Sequence, residues 1–240
     1  MSIENQILEL VKKAGPKNPI EYVDSIVRPM AREKLDNLLR TCKDCPIGQD
    51  SKIRSLSYGD DQAAIMIIND GIYLEQVNGD DIVYPLQGTP EMALIDALID
   101  AYHINRRQLF WMNAVNCCTC DCKGRERAPN IHEAEYCRGY IERAIEIIKP
   151  VMIILLGNIP LKIFAPDKTI AENHGELIEV HGTLAMPLYS PHMLIQMRED
   201  ENQLEDLLAQ YETEFCDDFK KAFKYIQDNF RGNVVLEPLT

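Results

Sequence analysis

The sequence predicts an α/β fold: a central, mostly parallel sheet flanked by helices, with a helical lead-in and a long C-terminal helix. Three observations predict it. Unbroken apolar runs over 63–69, 109–115 and 151–156 read as strands buried on both faces. Helical patterns separate them, so each strand-to-strand link is long enough for a crossover. The first run opens into NDGIYLEQVNGDD, rich in Gly, Asn and Asp, a loop at the carboxyl end of a strand, where parallel α/β sheets place their sites.

Taken in order, residues 3–13 put Ile3, Ile7, Leu8, Leu10 and Val11 on one helical face. After the breaker AGPKNP, residues 20–39 repeat the pattern with Val23, Ile26, Val27, Met30, Leu35 and Leu38. Pro90 opens a helix over 90–102, with Met92, Leu94, Ile95, Leu98 and Ile99 apolar. Asn113 lies inside the 109–115 strand, where its amide either pairs locally or reads something at the strand end. A strongly periodic helix over 131–149 contains Cys137 and closes at Lys149-Pro150; a short helix is expected over 159–164. Segments 176–180 and 184–189 flank His181-Gly182 and suggest a hairpin. From 202 to 230 an amphipathic helix carries Leu204, Leu207, Leu208, Tyr211, Phe215, Phe219, Phe223 and Ile226, as a docked appendage or an oligomer contact.

A chain of 240 residues with 46% hydrophobic and 26% charged residues can bury a sizeable core. Its net charge of −13 excludes a protein that grips nucleic acid through its whole surface and leaves room for a local basic groove. The N-terminal stretch MSIENQILELVKKAG lacks the pattern of a signal peptide, and no apolar run approaches the roughly 20 residues of a membrane span. The expectation is an intracellular chain with no membrane partner. In a reducing compartment its eight cysteines, four of them between Cys117 and Cys122, suit metal ligation better than disulfides.

Cys42 and Cys45 form C-x2-C before a proline, and a short turn of that spacing brings two sulfurs to one side. With a cysteine at a strand end and Cys137 on the next helix, the chain offers four soft ligands. A [4Fe-4S] cluster is favoured over zinc, because zinc modules usually supply two short paired knuckles, whereas Cys117 and Cys137 stand far apart. Cys118, Cys120 and Cys122 compete for the third position, and Cys216 reads as a small buried hydrophobe.

The order of these pieces resembles the iron–sulfur (family 4) uracil-DNA glycosylases. The matching text is CKDC at 42–45, MNAVNC at 112–117, ERAP at 126–129, EAEYCRGYIERAIEIIKPVMIILLG at 133–157, then HGELIEVHG and LYSPHMLIQ. The resemblance spans 42–198 and divides the chain into a lead-in (1–41), a glycosylase-like domain with a metal cluster (42–198) and a helical extension (199–240). It implies Cys42, Cys45, Cys117 and Cys137 as cluster ligands, Asn113 as the amide that reads a flipped base, and Arg127 as a phosphate contact. Departures accompany it. The family's Gly-Glu-Ala-Pro-Gly loop is here Asn69-Asp70-Gly71-Ile72-Tyr73, Leu86 stands where an aromatic would stack on uracil, and Ser190 replaces the histidine of His-Pro-Ser, with His192 two places later.

The reading ranked first is therefore a divergent [4Fe-4S] protein of DNA metabolism, its excision site altered or lost, acting by DNA binding or complex assembly through the C-terminal helix. The second is a working glycosylase in which Asp70 positions water, Asn113 recognises the base and His192 stabilises the leaving anion. The third is a cluster- or zinc-stabilised interaction module that never touches nucleic acid, which the charge favours.

Overall fold

The computed structural model describes residues 19–73, 76, 81–102, 104, 106–119, 127–200 and 205–229. The helix expected over 3–13, Cys120, Cys122, Glu126, Leu204 and the expected helix ends at 202 and 230 lie outside them. In chain order the elements are α1 (Pro19–Thr41), α2 (Pro46–Asp50), β1 (Arg54–Ser55), β2 (Tyr58–Gly59), β3 (Ile65–Asn69), β4 (Ile82–Val83) and α3 (Pro90–Ala101). There follow β5 (Leu109–Asn113), α4 (Ile131–Ile148), β6 (Met152–Leu156), α5 (Asn158–Phe164), α6 (Ile170–Asn173), β7 (Ile178–Val180), β8 (Thr183–Leu188), α7 (Pro191–Glu199) and α8 (Glu205–Asn229).

The main sheet has the order β2-β5-β3-β6-β8-β7. Its inner strands β5, β3, β6 and β8 are parallel, and β2 and β7 close the edges antiparallel. Every residue of β3, β5 and β6 is buried, as continuous apolar runs between two helical layers require. Local chemistry sets the helix ends. Thr89 caps α3 by accepting from Met92 N at 3.2 Å, ahead of Pro90. Asn130 and Glu133 form a capping box on α4, and Lys149 ends that helix in the left-handed region. The expected hairpin is β7–β8, turning through His181 (φ 49°) and Gly182 (φ 75°), both positive as a type I′ turn needs.

One face differs from expectation. Among the described side chains of α1 the buried ones are Leu35 and Leu39, while Met30 (60% exposed) and Leu38 (43% exposed) face outward, because these residues meet α4 and β1 along only one narrow side. The C-terminal helix is docked: Phe215, Phe219, Ala222, Phe223 and Ile226 enter the same core as the sheet, and α8 packs on β8 and α7. Its polar anchors are Asp218, whose Oδ2 lies 2.6 Å from His174 Nδ1, and Lys221, which donates to the Gly175 carbonyl.

Gly175 is the tightest point of that docking. Its φ is +68°, and a Cβ there would lie 1.9 Å from Asp218 Oδ1. Gly175→Ala is expected to cost about 2–3 kcal/mol in urea unfolding, combining a left-handed backbone with forced separation of α8 from its anchor. A loss below about 0.5 kcal/mol would show that α8 docks without this contact. Among the described residues no helix is long and apolar enough to cross a membrane.

Candidate functional site

In the parallel part of the sheet, β3 lies between β5, which follows it in the chain, and β6. The connection that leaves β3 runs to one side, to β5, and the one that leaves β6 runs to the other, to β8, so a crevice opens between the carboxyl ends of β3 and β6. Asp70 directly follows β3 and Gly157 directly follows β6. A Cβ on Gly157 (φ +98°) would fall 2.6 Å from Asp70 Oδ2, so glycine is what lets the carboxyl enter the crevice. Asp70 Oδ1 accepts from Ile159 N at 3.3 Å, at the start of α5.

A cavity of about 300 Å³ lies here, lined among others by Asp70, Tyr73, Glu91, Arg127, His192 and Glu199. Protein surrounds the Asp70 carboxyl, although the cavity keeps part of the residue in contact with solvent. Burial pushes its pKa up to about 7, against the lowering effects of the Ile159 N–H, the Ser190 hydroxyl and His192. The proton is thus held in the native state up to about pH 7, whereas an unfolded aspartate releases it near 3.8. Between those values the native state binds more protons, so stability falls as pH rises through the window and levels off above it. Asp70→Asn is expected to remove about 1–2 kcal/mol of that fall, read by urea unfolding at a series of pH values. Parallel pH curves for the two proteins would refute the assignment.

His192 sits in the first turn of α7. Its ring stacks on Tyr73 with centroids 4.4 Å apart and planes 12° apart, and its Nδ1 lies 2.7 Å from Glu91 Oε1. Glu91 belongs to the first turn of α3 and is 1% exposed. Burial would raise its pKa, but the contact with His192 and the bonds from its own backbone and Thr89 outweigh this, leaving it lowered. The dyad is therefore a carboxylate that holds an imidazole against a phenol. The Tyr73 hydroxyl donates to Asn69 Oδ1 at 3.2 Å, and burial pushes its own pKa well up.

The other expected residues separate into two groups. Ser190, at the N-cap of α7, faces Asp70 and Tyr73, and Arg127 lines the cavity while gripping Glu133 with both terminal nitrogens. Asn113 and Leu86 are both fully buried and do not line the cavity. The Asn113 amide is used at both ends: its Nδ2 donates to Ser55 Oγ at 3.0 Å, and its Oδ1 accepts from Asn69 Nδ2 at 3.3 Å. Leu86 lies in the core with φ 58°. Sequence reasoning missed Tyr73, Glu91 and Asn69. Glu91 did carry a signal, being an acid in the first turn of a helix capped by Thr89.

Four of the cysteines come from the junction of α1 and α2, the segment after β5, and α4. Cys42 and Cys45 bracket the turn into α2, where Cys45 Sγ accepts from Gly48 N at 3.2 Å. Cys117 follows β5, its backbone bridged to Arg54, and Cys137 lies on the buried face of α4. Cys117 is an electrostatic neighbour of Cys42, Cys45 and Cys137, so the four thiols share one locality. Cys118 points elsewhere, into a small apolar cluster with Ile72 and Val83. Burial, with repulsion from the other sulfurs, pushes Cys117 up to about 12 and Cys137 up to about 11. Four thiolates cannot ionise together in such a place unless a cationic centre joins them. Among the described residues no group of three or more His, Cys, Asp or Glu side chains is already set to hold a metal. Four thiols from separate segments are the donor set that an iron–sulfur cluster uses, and one that zinc accepts too. Cys42, Cys45, Cys117 and Cys137 are the residues that would hold it, and once bound it would tie the end of α1, the loop after β5 and α4 into one unit.

Comparison with known proteins bears on both regions. A type-4 uracil-DNA glycosylase of Pyrobaculum aerophilum is 29% identical over 133 residues, which cover 55% of this chain and 64% of that relative. The chain thus spans under two thirds of the relative's length. The family model described as the uracil DNA glycosylase superfamily matches residues 56–226, from the residue after β1 into α8. That match reaches beyond the resemblance read from the sequence, which stopped at Arg198, and takes in most of the docked helix. With more than half of its length matched, the chain belongs to the uracil DNA glycosylase superfamily.

Proposed function

We propose that this protein is a [4Fe-4S] member of its superfamily acting in DNA metabolism, with an excision site so rebuilt that it engages DNA by a local contact without releasing uracil. The observation that carries the reading is the state of Asn113. A base-reading amide must offer a donor and an acceptor to the flipped base. Here each end already makes a buried bond, to Ser55 and to Asn69, and Asn69 is bonded in turn to the Tyr73 hydroxyl. Freeing Asn113 would strand buried polar groups, at about 1–3 kcal/mol for each one left unpaired.

The test is release of uracil from a single-stranded oligonucleotide, run beside the Pyrobaculum relative. This chain is expected to fall at least about 100- to 1000-fold below it, the usual loss when a donor to the developing anion is missing. Excision within about tenfold of the relative's rate would overturn the reading. DNA binding is expected to be weak and salt-sensitive, because the net charge of −13 confines any contact to a local patch.

A second reading is favoured by one observation: Asp70 and His192 line the same cavity. In that reading the protein excises a different modified base. Asp70, once ionised, orients the water that attacks the sugar carbon, and the base departs as an anion stabilised by His192, which Glu91 holds in place. A panel of modified bases decides between the two. Activity on any of them that vanishes in Asp70→Asn supports the second reading, and activity unchanged in Asn113→Ala would show that Asn113 does not recognise the base.

A further inference from the structure

Among the described residues Arg54 is a buried cation without a carboxylate. It is 5% exposed, and among the described residues no ion pair satisfies it. Its guanidinium instead donates to main-chain carbonyls. Nη2 reaches Cys42 O at 3.1 Å and Gly48 O at 2.7 Å, and Nη1 reaches Ser51 O at 2.6 Å and Ile53 O at 3.2 Å. Its Nε is buried with no acceptor among the described residues. Carbonyls satisfy N–H groups but do not cancel a charge, and an uncompensated buried charge is among the costliest features a fold can carry.

Position supplies the missing anion. The Arg54 backbone bridges to Cys117, Ser55 N donates to Asn116 O at 2.9 Å, and the side chain clasps the turn that carries Cys42 and Cys45. Arg54 is also the cation that faces the Cys117 sulfur. One residue therefore touches both halves of the thiol set, from a strand between them.

We propose that Arg54 is the internal counter-cation of the four-cysteine centre: a positioning residue that fastens the C-x2-C turn to the Cys117 segment and neutralises the net negative charge of a four-thiolate cluster. The proposal rests on the reading that these cysteines hold such a cluster. Arg54 has no direct part in any chemistry at the Asp70 crevice; its role is to set how tightly the centre is held and how readily it accepts an electron.

The experiment uses the full chain, loaded anaerobically with iron and sulfide, as wild type, Arg54→Lys and Arg54→Met. Two readouts are taken: the rate at which an iron chelator bleaches the centre, and the reduced fraction at a fixed solution potential, with dithionite as electron donor and paramagnetic resonance as detector. Arg54→Met is expected to lose iron at least tenfold faster than wild type. It is also expected to show a reduced-to-oxidised ratio at least tenfold lower, equivalent to about 59 mV for a one-electron couple, because removing a nearby positive charge disfavours adding an electron. Arg54→Lys keeps the charge and should recover most of both effects, which a purely structural arginine would not allow. Wild-type rates and ratios in Arg54→Met, or a lysine variant as impaired as the methionine one, would overturn the proposal. Should Arg54→Met not fold, Arg54→Lys decides alone, since a reduced fraction unlike the wild type's would refute a role carried by charge. A wild-type chain that takes up no iron would instead remove the cluster reading itself, a distinct result.

Discussion

A Cys137→Ser protein is expected to be colourless, to bind less than about a tenth of the wild-type iron, and to lose several kcal/mol of stability, a large share of what a domain this size possesses. The magnitude follows from where the ligands come from. Cys137 is buried on α4, Cys117 follows β5, and Cys42 and Cys45 lie at the junction of α1 and α2. A centre bound to all four crosslinks segments nearly a hundred residues apart in sequence, as Tyr140 already begins to do by donating to Asp44 Oδ2 at 2.8 Å. Removing one thiolate releases the crosslink and leaves three sulfurs that repel one another. Iron and sulfide analysis of anaerobically purified protein, with urea unfolding alongside, is the measurement. Cys216→Ser is the control, because Cys216 lies half-buried on α8 away from the set. Equal iron in Cys137→Ser and wild type would eliminate the ligand assignment, and a colourless wild type that holds zinc would replace the cluster by a single ion.

Phe219→Ala is expected to destabilise the protein by about 3–5 kcal/mol, whereas Leu207→Ala, on the same helix, should change it by less than about 0.5 kcal/mol. Phe219 is fully buried between Phe215 and Phe223, with ring centroids 6.2 and 4.8 Å away, and it belongs to the core that contains β3 and β6. Leu207 is 37% exposed, ahead of the docked face. The sole tryptophan, Trp111, lies fully buried in β5 and reports on the sheet, while circular dichroism reports on the helices. Both signals should change at one denaturant concentration in wild type and variant alike, as expected of one cooperative unit. Helical signal lost well before the Trp111 signal would make α8 an appendage after all.

The parts of this fold legible in the sequence are those whose information is local. Residues 63–69, 109–115 and 151–156 became β3, β5 and β6 because an apolar run flanked by turns has few other ways to be buried, and Pro90 and His181-Gly182 mark ends through their own backbone chemistry. The strands β1, β2 and β4 were not legible, since two residues carry no period. The α7 helix was hidden in SPHMLIQMRED, where Pro191 starts a helix whose apolar face is short. The site was the least legible of all. The contact between His192 and Glu91 spans 101 positions, and that between Asn113 and Ser55 spans 58. Such pairs exist only once the sheet order is set. The family resemblance therefore pointed to Asp70, Asn113 and His192 as candidates, but only the fold separates those that share the crevice from the one locked behind it.

The isolated bridge from Arg54 to Cys117 means that a centre held by the four cysteines would form only where the chain brings β1 beside the segment after β5. With the proposed centre bound there, its assembly would be coupled to the folding of these segments, and iron supply would become a determinant of abundance. In an iron-starved cell, chains that finish synthesis without a centre would linger in an opened form exposed to proteases. The amount of this protein would then follow the availability of the metal, with no change in its transcription.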